Sequence, residues 1–414
     1  MAKAIENRRV VDNMEFHYDV AIVGAGPVGG YLALKLRESG HSVLLIEEHE
    51  EVGRPFQCAG LVNPGAMEKV SLEETALSVI WGARIHGPSG IPVEIGDPRR
   101  VRTWSVCRKK FDERVVMGSI DAGADIWLSS YPVEAEISAD SASLRVNRDG
   151  EIVVVNCKVI CGCDGAHSWV RRRFKFGRPK EMMVGFQVEV TGYPGVDGVL
   201  DMYTGNDIAP GFFAWAIPSG STTRIGMWSR PDLLGESSCE SLLSKLMSES
   251  IWSERFSQCR IVGKFGGPVP SGMLKKTIRP RVALFGDAAG SCKPTTGGGI
   301  GPGFEQVDLL VPEISQAIIS DNHSEENMIR ISKMLDPMRR KHSKAKALRD
   351  VFVTESTDEE LDEIFSIWSK KEVIEIINET GEIDNPVPLG IRLLKEVPEF
   401  RRVASKAAKA LIWG

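Results

Sequence analysis

The stretch that most constrains the fold runs from Tyr18 to Glu47. An apolar segment ends at Val23, a Gly-x-Gly-x-x-Gly turn occupies residues 24–29, and an apolar-periodic segment leads to a second apolar run that closes on Glu47. This order predicts a strand, a tight turn, a helix beginning near Pro27 and a second strand parallel to the first. Glu47 stands 18 residues after the last glycine of the turn. That context is typical of a dinucleotide-binding βαβ unit.

The three glycines of this turn have separate predicted roles. Gly24 permits the tight turn, Gly26 lets the backbone approach a pyrophosphate, and Gly29 lets helix and strand pack closely. The phosphates would bind at the positive end of the helix. Glu47, at the carboxyl end of the second strand, would accept hydrogen bonds from an adenosine ribose. The alternative is a glycine turn with a structural role alone.

Length and composition limit the number of lobes and the kinds of partner that we expect. A chain of 414 residues exceeds the size at which one core usually keeps growing, so we expect two lobes. Its hydrophobic content of 42% and charged content of 26% are ordinary for a folded protein. The net charge of -5 gives no general attraction to nucleic acid, and we expect no such partner.

Cysteine usage and the apolar runs bear on location. The eight cysteines include no Cys-x-x-Cys pair and no zinc-type spacing, which predicts reduced thiols, a cytoplasmic location and no metal site. The first 16 residues lack the apolar centre of a signal peptide, and Met14 is a candidate start. No apolar run approaches the ~20 residues of a membrane span.

Two later turns repeat the logic of the first. An apolar strand from Glu151 to Cys161 leads into Cys163-Asp164-Gly165, and a second apolar strand leads into Gly286-Asp287. A glycine-rich loop at 294–301 then opens a helix that we predict to run through Leu310. Such turns place backbone amides beside an anionic group. We interpret their repetition as the mark of a flavin protein.

Other stretches leave alternatives open. Phe213, Trp215 and Ile217 alternate with small residues and share one face of a predicted strand, either in a core or as a wall against a ligand. Cys58 lies in a loop rich in glycine and proline and is either a packed thiol or a ligand contact. A single helix is predicted near residues 240–257. The basic run 339–344 reads as a solvated helix face.

Four motifs in this order resemble the glutathione-reductase-type FAD enzymes of the para-hydroxybenzoate hydroxylase superfamily. They are Gly24-Ala25-Gly26-Pro27-Val28-Gly29, Arg108-x-x-Phe111-Asp112, Cys163-Asp164-Gly165-Ala166 and Gly286-Asp287-Ala288-Ala289.

Within that superfamily, residues 57–61, 210–218 and 294–300 resemble the archaeal geranylgeranyl reductase family, which saturates the isoprenoid chains of archaeal membrane lipids. The family signature Pro-x-x-Tyr-x-Trp-x-Phe-Pro is altered here, with Phe213 at the Tyr position and Ile217 at the Phe position. No hydroxyl at Phe213 is present to position substrate or donate a proton.

The resemblance implies an α/β fold, in which a glutathione-reductase-type, Rossmann-like FAD-binding domain carries an inserted α+β substrate domain with an antiparallel sheet and is followed by a helical C-terminal region. The expected boundaries are 17–80, 106–180 and 276–325 for the FAD-binding parts, 81–105 and 181–275 for the substrate domain, and 326–414 for the helical region.

The resemblance also implies a set of site residues. The FAD-binding residues would be Gly24, Gly26, Val28, Gly29, Glu47, Cys58, Ala59, Gly60, Leu61, Arg108, Pro132, Asp164, Asp287, Gly299 and Ile300. The substrate-contacting residues would be Pro210, Phe213, Trp215 and Ile217. The proton for alkene reduction would come from Cys58 or from a bound water.

The implied partners are a prenyl lipid and an external electron donor, which would be a ferredoxin, NAD(P)H or a deazaflavin. The alternatives are another flavin oxidoreductase, such as an aromatic hydroxylase or a halogenase, and a non-catalytic flavin- or lipid-binding protein. A halogenase would carry Trp-x-Trp-x-Ile-Pro, whose first Trp is Phe213 here. The basic, apolar-periodic segment 390–413 predicts peripheral attachment to the inner face of the membrane, or a helix packed on the protein itself.

Overall fold

The computed structural model describes residues 10–55, 58–381 and 386–400. Its strands, in chain order, are β1 (Val10–Val23), β2 (Val43–Ile46), β3 (Leu61–Val62), β4 (Ala76–Ile80), β5 (Gly82–His86), β6 (Pro92–Gly96), β7 (Thr103–Val106), β8 (Asp125–Trp127), β9 (Ser130–Ile137), β10 (Ala142–Arg148), β11 (Glu151–Gly162), β12 (Glu181–Thr191), β13 (Val199–Thr204), β14 (Phe213–Ser219), β15 (Thr222–Ser229), β16 (Arg260–Ser271), β17 (Ile278–Arg279) and β18 (Val282–Leu284).

The α-helices are α1 (Pro27–Glu38), α2 (Pro64–Val70), α3 (Arg108–Asp121), α4 (Trp169–Arg173), α5 (Cys239–Ser248), α6 (Ser253–Phe256), α7 (Ile300–Ile319), α8 (Glu325–Lys333), α9 (Asp336–Arg349), α10 (Asp358–Trp368), α11 (Lys371–Thr380) and α12 (Pro386–Glu396). A short π-helical turn, Asp350–Thr354, follows α9.

A mostly parallel sheet forms the first lobe. Its strand order is β17-β18-β11-β1-β2-β8, and β9 and β10 extend it as antiparallel strands beside β11. β1 pairs in parallel with both β2 and β11. All four residues of β2 are buried, as expected for a parallel strand covered on both faces. Helices α1, α3 and α7 pack on one face, and the meander of β9, β10 and β11 closes the other.

The second lobe is a seven-stranded sheet. Its order is β16-β12-β15-β14-β13-β5-β6, and all neighbours pair antiparallel except β13 with β5. Helices α5 and α6 cover one face. The single helix predicted near residues 240–257 is two helices, because the backbone turns after Ser248 and Ser250 N donates to Lys245 O at 3.1 Å. A small sheet, β3-β7-β4, adjoins the two larger ones, so the strands of residues 81–105 divide between two sheets.

Helices α10 and α11 pack on the second lobe, whereas Met328 and Ile331 of α8 and Met338 of α9 lie in the core of the first lobe. α7 runs to Ile319, past the predicted Leu310, because its buried face continues through Pro312 to Ile318. Asn378 Oδ1 accepts a hydrogen bond from Gly96 N at 2.7 Å, which ties α11 to β6.

The described part of segment 390–413 buries some of its apolar residues. Leu393, Val397 and Phe400 lie in one cluster with α11, whereas Ile391 is exposed. Residues 401–413, the rest of the predicted membrane-attachment segment, lie outside the described residues.

Candidate functional site

The carboxyl ends of four parallel strands meet at one edge of the first sheet. Gly24 N donates to Ile46 O at 2.8 Å, and Cys163 N donates to Val23 O at 2.8 Å. Phe285 N donates to Gly162 O at 2.9 Å, which brings the third turn to the same edge. In open α/β sheets, ligands bind outside the carboxyl ends of the strands.

The glycines of the first turn differ in how closely other protein atoms approach them. Gly24 has φ of +99°, and a Cβ there would lie 2.5 Å from Cys163 O. A Cβ at Gly29 would lie 2.1 Å from Gly24 O. Gly26 has φ of −71°, and a Cβ there would meet nothing within 4 Å. The protein itself therefore requires Gly24 and Gly29, whereas Gly26 borders a space that a ligand would fill.

The N-terminus of α1 suits an anion in that space. Gly26 caps the helix without a side-chain hydrogen bond, and the first turn holds no acidic residue. The backbone N–H groups of that turn therefore remain available as donors, and the helix dipole favours negative charge there. A pyrophosphate fits this arrangement.

Glu47 has a role that the sequence did not reveal. Its Oε2 accepts a hydrogen bond from Ala25 N at 2.8 Å, and its Oε1 lies 2.6 Å from His49 Nδ1. The buried carboxylate thus holds the glycine turn in place. Ser130 N donates to the backbone oxygen of Glu47 at 2.8 Å, which brings the first residue of β9 beside Glu47. Pro132, the predicted adenine-side residue, follows Ser130 by two positions in the same strand.

Asp164 serves the second turn. Its Oδ2 accepts a hydrogen bond from Val170 N at 3.0 Å, at the start of α4. Burial raises the pKa of its carboxyl, and Oδ1 has no hydrogen-bond partner among the described residues. A hydroxyl or N–H group of a ligand would satisfy that oxygen.

The third turn meets α1 and α7 around Val28. A Cβ at Gly303 would lie 2.4 Å from Val28 Cγ2, and one at Gly286 would lie 3.2 Å from the same atom. Val28 therefore packs two glycines that are remote in sequence against α1. The sequence indicated only a backbone contact for Val28.

Asp287 lies in the same turn, beside the start of α7. Cys292 donates its thiol hydrogen to Asp287 Oδ1, with Sγ 3.1 Å away, and a Cβ at Gly299 would lie 2.6 Å from that oxygen. Burial raises the pKa of the Asp287 carboxyl. α7 begins at Ile300 without a side-chain cap and without an acid in its first turn, so its positive end is open to an electron-rich group.

Cys58, Ala59 and Gly60 line the other side of this region. Gly60 N donates to Cys58 Sγ at 3.3 Å. Arg224 lies on β15 in the second lobe, and its Nη1 donates to Ala59 O at 2.9 Å. Because a Cβ at Gly60 would lie 2.1 Å from Arg224 Nη1, the loop closes tightly on the second lobe. The next residue, Leu61, pairs with β7.

Arg108 opens α3 close to this loop. Its Nε and Nη2 donate to the two carboxylate oxygens of Asp112 at 2.9 and 2.7 Å. This bidentate pair fixes the guanidinium plane. Burial raises the pKa of the Asp112 carboxyl, although the guanidinium opposes this shift. Asp112, which the sequence showed only as part of a motif, thus orients the predicted FAD-contacting arginine.

The alternation in β14 divides its side chains between two faces of the sheet. Ala214 and Ala216 are fully buried beneath α5. Phe213 and Trp215 are half-buried on the opposite face, where Phe213 lies 6.2 Å from Trp228 between ring centroids. Ile217 is buried by the protein itself.

Pro210 lies in the loop before β14 and is held by β15. Ser229 Oγ, one residue after Trp228, donates to Pro210 O at 2.8 Å.

Two residues of this face were not predicted. Gln187 Oε1 accepts from Trp215 Nε1 at 3.2 Å, and Gln187 Nε2 and Trp228 Nε1 are buried without a partner among the described residues. A Cβ at Gly297 would lie 3.2 Å from the Trp228 ring, so the 292–299 loop faces this aromatic wall. A glutamine within the apolar strand β12 was the available signal.

Across residues 10–55, 58–381 and 386–400, no group of three or more His, Cys, Asp or Glu side chains is arranged to hold a metal ion. Within those same ranges, no helix combines the length and the apolar character required to cross a bilayer.

A family model described as "FAD binding domain" matches residues 17–79 and 130–318. The chain belongs to this FAD-binding family. These residues include the three turns described above, and FAD is the cofactor. The expected α/β FAD-binding fold is confirmed.

Several relatives resemble this flavoprotein along most of its length. A digeranylgeranylglycerophospholipid reductase of Methanocaldococcus jannaschii is 29% identical over 320 residues, which cover 75% of this chain and 80% of that protein. The structure of a geranylgeranyl bacteriochlorophyll reductase-like protein of Thermoplasma acidophilum has a TM-score of 0.84 at 22% identity and covers 95% of this chain and 100% of that one. The structure of the flavin-dependent halogenase CmlS has a TM-score of 0.71 at 15% identity and covers 92% of this chain and 78% of that one. The Thermoplasma acidophilum protein and CmlS therefore share the fold of this chain.

Proposed function

We propose that this flavoprotein reduces C=C bonds of geranylgeranyl chains in archaeal ether lipids or their precursors. One observation carries the proposal: an aromatic wall on the second sheet faces the 292–299 loop, which belongs to the FAD-binding lobe. The sequence similarity to a digeranylgeranylglycerophospholipid reductase supports the same substrate class. A hydrocarbon chain needs such an apolar wall, and few polar groups, for its binding.

In this proposal, the residues of the first sheet edge hold FAD. Gly24, Gly26, Val28 and Gly29 surround the pyrophosphate at the N-terminus of α1. Glu47 and Pro132 accommodate the adenosine end.

The remaining cofactor contacts lie nearer the second lobe. Asp287 would hold the ribityl-pyrophosphate part of FAD by accepting hydrogen bonds from ribityl hydroxyls, Arg108 would hold the phosphates or ribityl, and Asp164 would complete the polar wall of the second turn. Cys58, Ala59, Gly60 and Leu61, together with Gly299 and Ile300 at the start of α7, would hold the flavin ring.

An isolated alkene is a poor hydride acceptor, so the site must hold it close to a strong donor and exclude water. When bound and reduced, FAD supplies the hydride. Pro210, Phe213, Trp215 and Ile217 form or support the apolar surface that positions the prenyl chain and excludes water. Cys58 is the proposed proton donor, with a bound water as the alternative. An external redox partner must restore the reduced cofactor.

The test is incubation of the FAD-loaded protein with a geranylgeranyl ether lipid and dithionite under anaerobic conditions, followed by mass spectrometry. We expect each reduced double bond to add one H2 to the lipid, and in heavy water both added hydrogens to be deuterium, because the hydride of the dithionite-reduced flavin also originates from solvent. Oxygen uptake with NADPH and a hydroxylated product would indicate a monooxygenase instead. Reduced flavin that the prenyl lipid never reoxidises would indicate non-catalytic binding.

A further inference from the structure

A strongly cationic surface adjoins the 292–299 loop. We call it the basic surface and define it by seven exposed residues: Arg178, Lys180, Lys275, Lys276, Arg340, Lys341 and Lys344. They come from three segments, 172–181, 271–281 and 336–350. The sequence showed only the last of these, as a basic helix face.

Backbone contacts join the three segments to one another and to the loop. Lys180 N donates to Gly272 O at 3.3 Å, and Leu274 N donates to Ala289 O at 3.1 Å. Arg339 Nε donates to Leu274 O at 3.0 Å, which docks α9 on the same stretch. A parallel bridge joins Ser271 to Cys292, the first residue of the loop. The basic surface therefore lies beside the loop that we assign to the flavin ring.

The charge of these segments is not balanced locally. They contain 15 lysines and arginines against three acids, although the whole chain carries a net charge of -5. The three acids already have partners: Glu181 pairs with Arg349, Asp336 with Arg339, and Asp350 with Arg349. In the described parts of the chain, none of the seven residues of the basic surface forms an ion pair. Such a concentration of one sign attracts a partner of the opposite sign.

The side chains between these charges favour a protein partner over a membrane. Surfaces that enter a lipid interface combine basic residues with exposed Trp, Phe or Leu anchors. Among the described residues, every large apolar side chain that is exposed lies outside the three segments. A polar, charged patch without anchors fits a transient electrostatic encounter with an acidic protein.

We propose that the basic surface is the docking site of an acidic one-electron carrier protein that reduces the bound FAD. The proposal rests on the proposed function in one respect: a reductase of this kind consumes two electrons per double bond from outside the chain. Two carrier encounters deliver those electrons, and two protons from water complete the reduction of FAD to its two-electron form. Each carrier leaves oxidised by one electron.

The test compares two variants with the same change in charge. The double substitution Lys275→Glu and Lys276→Glu reverses the charge of two residues in the middle segment of the basic surface. Lys245→Glu with Lys264→Glu reverses two lysines of α5 and β16, outside it. The probe is a small ferredoxin of strongly negative net charge. Calorimetry measures its binding, and stopped-flow absorbance measures how fast the pre-reduced ferredoxin bleaches the bound flavin without lipid.

We expect the Lys275/Lys276 variant to bind the ferredoxin at least about 10-fold more weakly at low salt and to be reduced correspondingly slowly. The Lys245/Lys264 variant should bind the ferredoxin and be reduced by it as wild type is. Added salt should shrink the difference, because the Debye length falls to about 8 Å at physiological ionic strength. Dithionite should drive lipid reduction equally in all three proteins.

Equal binding by the two variants would overturn the proposal, as would absence of ferredoxin binding to wild type. Charge-dependent binding to anionic vesicles without ferredoxin binding would assign the surface to a membrane instead. Charge-dependent reduction by NADPH or a deazaflavin alone would assign it to a small anionic donor. Flavin bleaching requires no prenyl lipid, so failure of the lipid assay would refute only the proposed function.

Discussion

Two glycines three positions apart should respond in opposite ways to the same substitution. In Gly29→Ala, the new Cβ would lie 2.1 Å from the carbonyl oxygen of Gly24, which is a backbone atom in a turn held from several sides. Overpacking of this kind costs about 1–3 kcal/mol or somewhat more. In Gly26→Ala, the new Cβ meets no protein atom within 4 Å, and φ of −71° suits alanine. We expect its effect on the FAD-free protein to stay within about 0.5 kcal/mol.

For FAD affinity, by contrast, we expect Gly26→Ala to be the more damaging of the two substitutions. The Cβ of Gly26→Ala would enter the space assigned to the pyrophosphate and push it off the N-terminus of α1. A hydrogen bond to a charged group contributes about 1.5–3 kcal/mol, so loss of one weakens FAD binding roughly 10- to 150-fold. Urea unfolding of the FAD-free proteins and calorimetric titration with FAD measure the two effects separately. The reasoning fails if Gly26→Ala binds FAD like wild type, or if Gly29→Ala is as stable as wild type.

Three further predictions concern the site. Trp215→Ala should change which prenyl chains are reduced while FAD stays bound, whereas Met227→Ala, on the opposite face of the sheet, should cost about 2–5 kcal/mol of stability and leave the product pattern unchanged. A purely thermal effect of Trp215→Ala, seen in a melting curve, would place that residue in the core. Cys58→Ala should alter the flavin spectrum and alkene turnover; unchanged values would reduce Cys58 to a packing residue. Burial raises the pKa of Asp287 above its ordinary 3.8, so its ionisation lowers the stability of the FAD-free protein as the pH rises above that value. Asp287→Asn should therefore be at least as stable as wild type near pH 7 without FAD. It should nevertheless bind FAD about 10-fold more weakly. Urea titrations at acidic and neutral pH measure the stability, and a variant less stable than wild type at neutral pH would contradict this prediction.

Much of the first lobe was predictable from the chain alone, because its signals are local. A strand, a glycine turn and an amphipathic helix each follow from residues close together in sequence, and β1, α1 and β2 form as expected. The Gly-Asp turn before α7 was recognisable for the same reason. The period of two in β14 likewise predicted that Phe213 and Trp215 share a face.

Contacts between remote segments were decided only by the tertiary structure. No local pattern shows that Val28 packs between Gly286 and Gly303, or that Gln187 bonds to Trp215. These contacts depend on the order of strands within each sheet, which periodicity does not encode.

The basic surface also forms only when segments remote in sequence come together. Its three segments lie up to about 155 residues apart in the chain, and each of them alone is typical of a solvated stretch. Sequence determined the cofactor-binding turns because glycine and helix-terminus chemistry act within a few residues. The tertiary structure alone decided which side chains meet at the edge of the first sheet and along the aromatic face of the second, because strand order and packing bring them together.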